Sequence, residues 1–198
     1  MKLLVIGGTR FVGRHLVQAA LARGDTVTLF NRGQSGTAPA GVEQRCGDRR
    51  ADLSALDSGH WDAVIDTCAY LPREVHAMAA KLHGRVARYL LVSTVSVYAS
   101  AAAPNHEASP LGTLADPSTE VVDGDSYGPL KALCEAALLS VFGAQALVVR
   151  PGLIVGPRLP ARGHPPRHRR RPAHPAAGAD RGRHAGLVPR PAARAAGV

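Results

Sequence analysis

Between a short apolar run, Lys2-Leu3-Leu4-Val5-Ile6, and a stretch of helical periodicity that begins near residue 11, the chain places Gly7-Gly8-Thr9-Arg10-Phe11-Val12-Gly13. A buried strand that turns through glycines directly into a helix leaves few architectures open. The glycines let the backbone approach a ligand closely, and the helix directs free N–H groups and the positive end of its dipole at the same point, an arrangement suited to a pyrophosphate. A tight strand-to-helix turn with no ligand is the alternative that this segment alone leaves open. Val12, Leu16 and Ala19 recur at helical spacing and are expected to form the buried stripe of the helix.

The same alternation continues. Short runs rich in Val, Leu and Ile predict strands near 2–7, 25–31, 42–47, 62–67, 88–94 and 145–150, and the periods between them predict helices over 11–23, 72–83 and 127–142. Strands that are apolar throughout suit a parallel sheet covered on both faces, and strand–helix repetition requires right-handed crossovers, so the expected class is α/β with a doubly wound parallel sheet. Residues 99–125, with Pro104, Pro110 and Pro117, read as a loop.

Composition matters through its distribution. The formal charge of +9 arises entirely beyond Pro157, where ten Arg face the single Asp180, whereas acids and bases cancel in residues 1–157. A high isoelectric point therefore says nothing about partners of the first part. Arg, Ala, Pro, Gly and His supply 36 of the last 41 residues, too little apolar surface to offset the entropy of ordering. Two segments are expected: a folded domain over 1–157 and a disordered basic C-terminal tail over 158–198. The four types Arg, Ala, Pro and Gly have GC-dominated codons, and the change falls abruptly at Pro157, so the tail reads as the product of a shifted frame. An evolved Arg-rich nucleic-acid arm is the alternative, without aromatic platforms for bases, and nucleic acid is not the expected partner.

Cys46, Cys68 and Cys134 have no metal-ligand or disulfide spacing, predict no metal site, and read as buried thiols of a reducing compartment, here the cytoplasm. The N-terminal apolar run is too short for a signal peptide, and the longest uncharged stretch, Tyr89–Asn105, falls short of a membrane span.

Two further places carry candidate chemistry. At the end of the second predicted strand, Thr28-Leu29-Phe30-Asn31-Arg32 lacks the acid that would accept from ribose hydroxyls, and Arg32 instead suits a 2′-phosphate; a solvated loop Arg is the alternative. Asp48 in Gly47-Asp48 is a candidate acceptor for an adenine amino group or, equally, a turn-forming Asp. More specific is Ser93-Thr94 at a strand end combined with Tyr127-Gly-Pro-Leu-Lys131 at a helix start. Tyr and Lys at i and i+4 share a face, so an ammonium there is expected to lower a phenol pKa of about 10 and give an acid/base group, both side chains lying at the edge of a core stripe of Leu130, Leu133, Ala137 and Val141. Pro129 is tolerated in the first turn, and Ser126 is expected to cap it.

Taken in order, Gly7–Gly13, Gly47-Asp48, Val92-Ser-Thr-Val-Ser-Val-Tyr98, Tyr127 with Lys131, and Arg150-Pro-Gly-Leu-Ile-Val-Gly-Pro157 resemble the extended short-chain dehydrogenase/reductases, the NAD-dependent epimerase/dehydratase family, over residues 1–157. The resemblance implies a Rossmann domain holding a pyridine dinucleotide, NADP(H) by preference with NAD(H) as the alternative. It implies Gly7, Thr9, Arg10, Phe11, Val12, Gly13, Asn31, Arg32, Asp48, Lys131, Pro151 and Gly152 as cofactor-binding residues. It also implies Tyr127 as acid/base, Lys131 as its tuning partner, and Thr94 as a hydrogen-bond donor to the reacting oxygen. The implied activity is hydride transfer at a carbinol carbon of a small molecule, with a nucleotide sugar as the class expected. Arg10 departs from the family by replacing its usual middle glycine. Family members also continue for a further substrate-binding half that is expected to be missing here. Relatives that sense dinucleotides, or that bind RNA, and an inactive fragment are the competing readings; a homodimer is compatible with the family.

Overall fold

The computed structural model describes residues 1–156; the expectations for Pro157 and for the tail over 158–198 lie outside the described residues. Six strands, β1 (Lys2–Ile6), β2 (Thr26–Asn31), β3 (Glu43–Cys46), β4 (Trp61–Asp66), β5 (Val86–Val92) and β6 (Ala146–Val149), form one parallel sheet in the order β3-β2-β1-β4-β5-β6. Three α-helices connect them: α1 (Phe11–Ala22), α2 (Pro72–Leu82) and α3 (Tyr127–Phe142). This is the doubly wound Rossmann arrangement, with the chain reversing its winding direction between β1 and β4. Both faces of β1 are covered, as the unbroken apolar run requires: Leu3 and Val5 pack with Val17 and Ala20 of α1. Leu4 and Ile6 face the opposite layer, with Met78 of α2 and Leu138 and Phe142 of α3.

Helix registers differ from expectation. In α1 the buried residues are Gly13, Val17 and Ala20, one step on from the expected Val12, Leu16 and Ala19, and Ala19 is exposed. Gly13 sits against Gly8 so closely that a Cβ there would lie 2.7 Å from the Gly8 Cα, and this contact fixes the helix rotation. In α3, Leu130 is buried as expected, but Gly128, Lys131, Ala132, Cys134, Glu135, Leu138 and Phe142 make up the rest of the buried set, while Leu133, Ala137 and Val141 are only partly buried. The inward face thus takes in Lys131, expected only at the edge of the stripe, and Glu135, and both have partners inside.

Ser126 does not cap α3 with its side chain. Its hydroxyl donates to the Val121 carbonyl (2.6 Å), and the Asp123 carboxylate accepts from the backbone N–H groups of Asp125 and Ser126 (3.0 and 2.9 Å), so Asp123 organises the turn ahead of the helix. Pro129 does lie in the first turn. Cys134 is buried and Cys68 partly so, but Cys46 is exposed, because β3 is the sheet's edge and Cys46 ends it. No helix among the described residues is long and apolar enough to cross a membrane.

Candidate dinucleotide and reaction site

Parallel strands bring their C-terminal ends to one edge of the sheet, and every candidate residue follows one of those ends or starts a helix there. After β1, Gly7 and Gly8 have φ of +97° and +83°, in the left-handed region that favours glycine. A Cβ at Gly7 would come within 2.6 Å of Thr67 Oγ1, and one at Gly8 within 2.5 Å of Leu29 Cδ2. Arg10, in place of the family's middle glycine, adopts an extended conformation (φ −122°) and is exposed, and the irregular backbone appears one residue later, at Phe11 with φ +21°. No side chain caps α1. The N–H groups of its first turn, including those of Phe11, Val12 and Gly13, thus face the glycine turn, the condition under which a helix end takes an anion. Thr9, partly buried, lies in the same turn.

Asn31 ends β2 and ties it to that turn: its amide nitrogen donates to the Gly7 carbonyl (3.1 Å), and its amide oxygen accepts from Gly33 N (2.8 Å) and Gln44 Nε2 (2.9 Å). Its side chain thereby fixes the β2 end, while Arg32 beside it is exposed. Asp48 forms a turn, one carboxylate oxygen accepting from Arg50 N (3.0 Å) and its backbone bridging to Asp52.

At the other end, Thr94 follows β5 and caps the short 3-10 turn Val95–Val97, accepting from Ser96 N (3.1 Å). The first turn of α3 lies directly on this element, with no room for a side chain at Gly128. Tyr127 and Thr94 are thus neighbours, although 33 positions separate them in the chain. Lys131, only 3% exposed, donates from Nζ to the carbonyls of Ala69 (2.9 Å) and Val92 (2.8 Å), and no hydrogen bond among the described residues joins it to Tyr127. The expected lowering of the phenol is therefore reversed: burial holds Tyr127 above the usual phenol range, against a smaller opposing effect of Thr94. Burial also lowers the Lys131 ammonium. A phenol so placed is protonated at neutral pH and suited to donate. Pro151 leaves β6 with its carbonyl accepting from Val95 N (3.0 Å), and at Gly152 no atom lies within 4 Å of a Cβ position.

Three groups escaped the sequence reading. Tyr70, 45% exposed, brings its ring centroid to 6.4 Å from that of Tyr127 and walls the site. Glu135 is buried beneath β5 and β6, bonded by Ser93 Oγ and by the Arg150 guanidinium (2.6 Å from Nη2), which also stacks at 5.0 Å over Tyr98. Asp66, fully buried at the end of β4, is paired with Arg49. β4 carries two acids, Asp62 exposed and Asp66 buried, and a buried carboxylate requires a partner. No group of metal-ligating side chains occurs among the described residues.

Comparison with known proteins agrees with this fold. The sequence profile of the NAD dependent epimerase/dehydratase family matches residues 3–82. Among solved structures, a UDP-galactose 4-epimerase is similar with 24% identity and a TM-score of 0.65, over 80% of this chain and 58% of that one. The UDP-glucuronic acid 4-epimerase of Bacillus cereus, in complex with NAD, is similar with 21% identity and a TM-score of 0.64, over 80% and 59%. A short-chain dehydrogenase/reductase superfamily protein of Agrobacterium tumefaciens with bound NAD gives 24% identity and a TM-score of 0.59, over 76% and 48%. The chain thus spans less than two thirds of the length of these structures, and at such identities they bear on the fold. No curated protein matches the chain. By the profile match, residues 3–82 are similar to the NAD dependent epimerase/dehydratase family.

Proposed function

We propose that this chain binds a pyridine dinucleotide, NADP(H) in preference to NAD(H), and belongs to an oxidoreductase-type enzyme acting on a small molecule of the nucleotide-sugar class. The observation that carries the reading is the cradle at the end of β1, where two left-handed glycines without room for side chains open onto an uncapped helix. That cradle fits a pyrophosphate. NAD bound in the similar structures, and the UDP-sugar epimerases among them, support the cofactor and substrate classes.

In this reading Gly7, Thr9, Phe11, Val12 and Gly13 hold the pyrophosphate by backbone approach, Asn31 orients the β2 end, Asp48 accepts from the adenine, and Pro151 and Gly152 leave the nicotinamide side open. The dinucleotide, when bound, supplies or takes up hydride. Lys131 binds the nicotinamide ribose, Thr94 donates a hydrogen bond to the reacting oxygen, and Tyr127 transfers the proton at its phenolic oxygen. The expected compartment is the cytoplasm, and a homodimer is the assembly to be checked by sedimentation.

Arg32 and Arg10, both exposed beside a strand end that offers no carboxylate over 29–31, favour the 2′-phosphate. A charge-assisted contact contributes about 1.5 to 3 kcal/mol, so calorimetry is expected to give NADP⁺ an affinity roughly ten- to a hundredfold above NAD⁺. Arg32→Ala is expected to remove most of that difference while leaving NAD⁺ unchanged. Equal affinities in the unaltered protein, or a loss confined to NAD⁺, would overturn the preference.

A further inference from the structure

The turn after β3 carries two arginines that cross beneath the candidate site. Arg49 makes a two-pronged pair with Asp66 (2.9 Å at each oxygen), and its Nε lies 3.4 Å from Glu74 of α2. Arg50 donates to the other oxygen of Glu74 (2.8 Å). The Asp66 carboxylate also accepts from the Tyr89 hydroxyl (2.9 Å) and from Cys68 N (3.1 Å), so it is held on every side and holds the turn that follows it. That turn presents the Ala69 carbonyl to Lys131 Nζ (2.9 Å). A continuous set of contacts therefore runs from Asp48, next to Arg49 in the chain, through Asp66 and residues 68–69 to Lys131.

Buried ion pairs are weak contributors to stability, because desolvation offsets their attraction, and apolar residues of equal volume commonly serve the fold as well or better. What a two-pronged pair provides is geometry: it holds two segments at one separation and one angle. We propose that Arg49 and Asp66 are a positioning couple for the dinucleotide site, fixing the Asp48 turn against the turn that carries Ala69 and thereby setting the adenosine end of the groove relative to Lys131 at the reacting end. The inference rests on the reading of Asp48 and Lys131 as dinucleotide-binding residues. Neither Arg49 nor Asp66 touches the cofactor in this account; both act through their neighbours.

The test uses Asp66→Asn, Arg49→Met and Arg49→Lys, with two measurements beside thermal unfolding: calorimetric affinity for NADP⁺ and NAD⁺, and the pH midpoint for acetylation of Lys131 by acetic anhydride, read by mass spectrometry. The charged or titratable groups acting on Lys131 include Asp66 at the end of β4, Arg49 from the turn after β3, and Cys134 and Glu135 from its own helix; Asp66 raises its pKa and Arg49 lowers it. The midpoint is therefore expected to fall in Asp66→Asn and to rise in Arg49→Met. Dinucleotide affinity is expected to drop about tenfold in all three, the scale of one displaced hydrogen bond to a charged group. A purely structural role predicts instead that loosening exposes Lys131, moves both midpoints upward and leaves affinity unchanged, which overturns the proposal. If single variants fail to fold, the apolar pair Arg49→Met with Asp66→Leu is expected to fold yet bind about tenfold more weakly; wild-type affinity in that protein also overturns it. An unaltered chain that binds neither dinucleotide overturns the proposed function, while opposed midpoint shifts would still show that the charges of the pair act on Lys131.

Discussion

Gly128→Ala is expected to lower the thermal midpoint by roughly 6 to 12 °C, the effect of about 3 kcal/mol of overpacking in a domain of this size. A Cβ at Gly128 would lie 2.0 Å from the Ser96 carbonyl oxygen and 2.9 Å from its carbon, and both are backbone atoms that no rotamer change can move aside. The first turn of α3 must retreat from the Val95–Val97 turn, and the retreat separates Tyr127 from Thr94, since each sits next to the contact. Stability and the reaction site therefore fail together, whereas binding at the β1 cradle is expected to survive in whatever fraction folds. Gly124→Ala is the control, because no atom lies within 4 Å of its Cβ position and its φ is not positive. Differential scanning calorimetry decides the matter: a midpoint within about 2 °C of the unaltered protein would show that the two elements are not in close contact.

Gly128 also marks where a sequence reading stops. It stands between the two residues of the Tyr127/Lys131 pair, and nothing in the i, i+4 pattern says that the residue between them must be glycine. The need arises from Ser96, 32 positions earlier, through a contact that only the fold creates. Strand and helix bounds were legible to within one or two residues because local chemistry determines them: glycine at the β1 turn, Pro72 opening α2, and Pro129 confined to the first turn of α3. Rotation of the helices was less legible. It depends on which neighbour approaches most closely, and the Gly8–Gly13 contact turned α1 by about one residue from the stripe that hydrophobicity alone suggests.

The same limit applies to charge. Spacing sets Lys131 at the edge of the α3 stripe and says nothing of Glu135, yet both are 3% exposed, because two backbone carbonyls receive the ammonium and Arg150 with Ser93 receives the carboxylate. Their partners lie on β5, β6 and the turn after β4, so no window along the helix contains the information. Asp66 is a similar case: β4 carries both Asp62 and Asp66, and only the fold shows that Asp66 is the buried one and that Arg49, rather than the neighbouring Arg50, pairs with it. Geometry of this kind also reverses the expected direction for Tyr127. Spacing predicts an ammonium beside the phenol; the ammonium is held by carbonyls, and burial prevails.

Tyr127→Phe is expected to reduce the turnover of a nucleotide sugar by a factor of about 100 to 10,000, the usual range for a lost general acid or base, while leaving NADP⁺ affinity within about twofold. The substitution removes only the phenolic oxygen. The ring that packs beside Tyr70 is retained, and Lys131, hydrogen-bonded to Ala69 and Val92, loses no hydrogen bond. Direction should matter. With its pKa raised by burial, Tyr127 holds its proton through neutral pH, so reduction of a carbonyl, in which the phenol donates, is expected to be flat with pH until the phenol range and to fall above it. Oxidation of a carbinol needs the deprotonated form and is expected to climb across neutral pH instead. The Phe variant should lose both limbs, leaving a low rate without either slope. Steady-state rates with NADPH and NADP⁺ on UDP-linked keto and hydroxy sugars, taken from pH 6 to above the phenol range near about 10, read this directly. A variant that keeps the unaltered rate, or that keeps the alkaline slopes, would remove Tyr127 from the acid/base role and leave Thr94 and Tyr70 as the hydroxyl groups to test next.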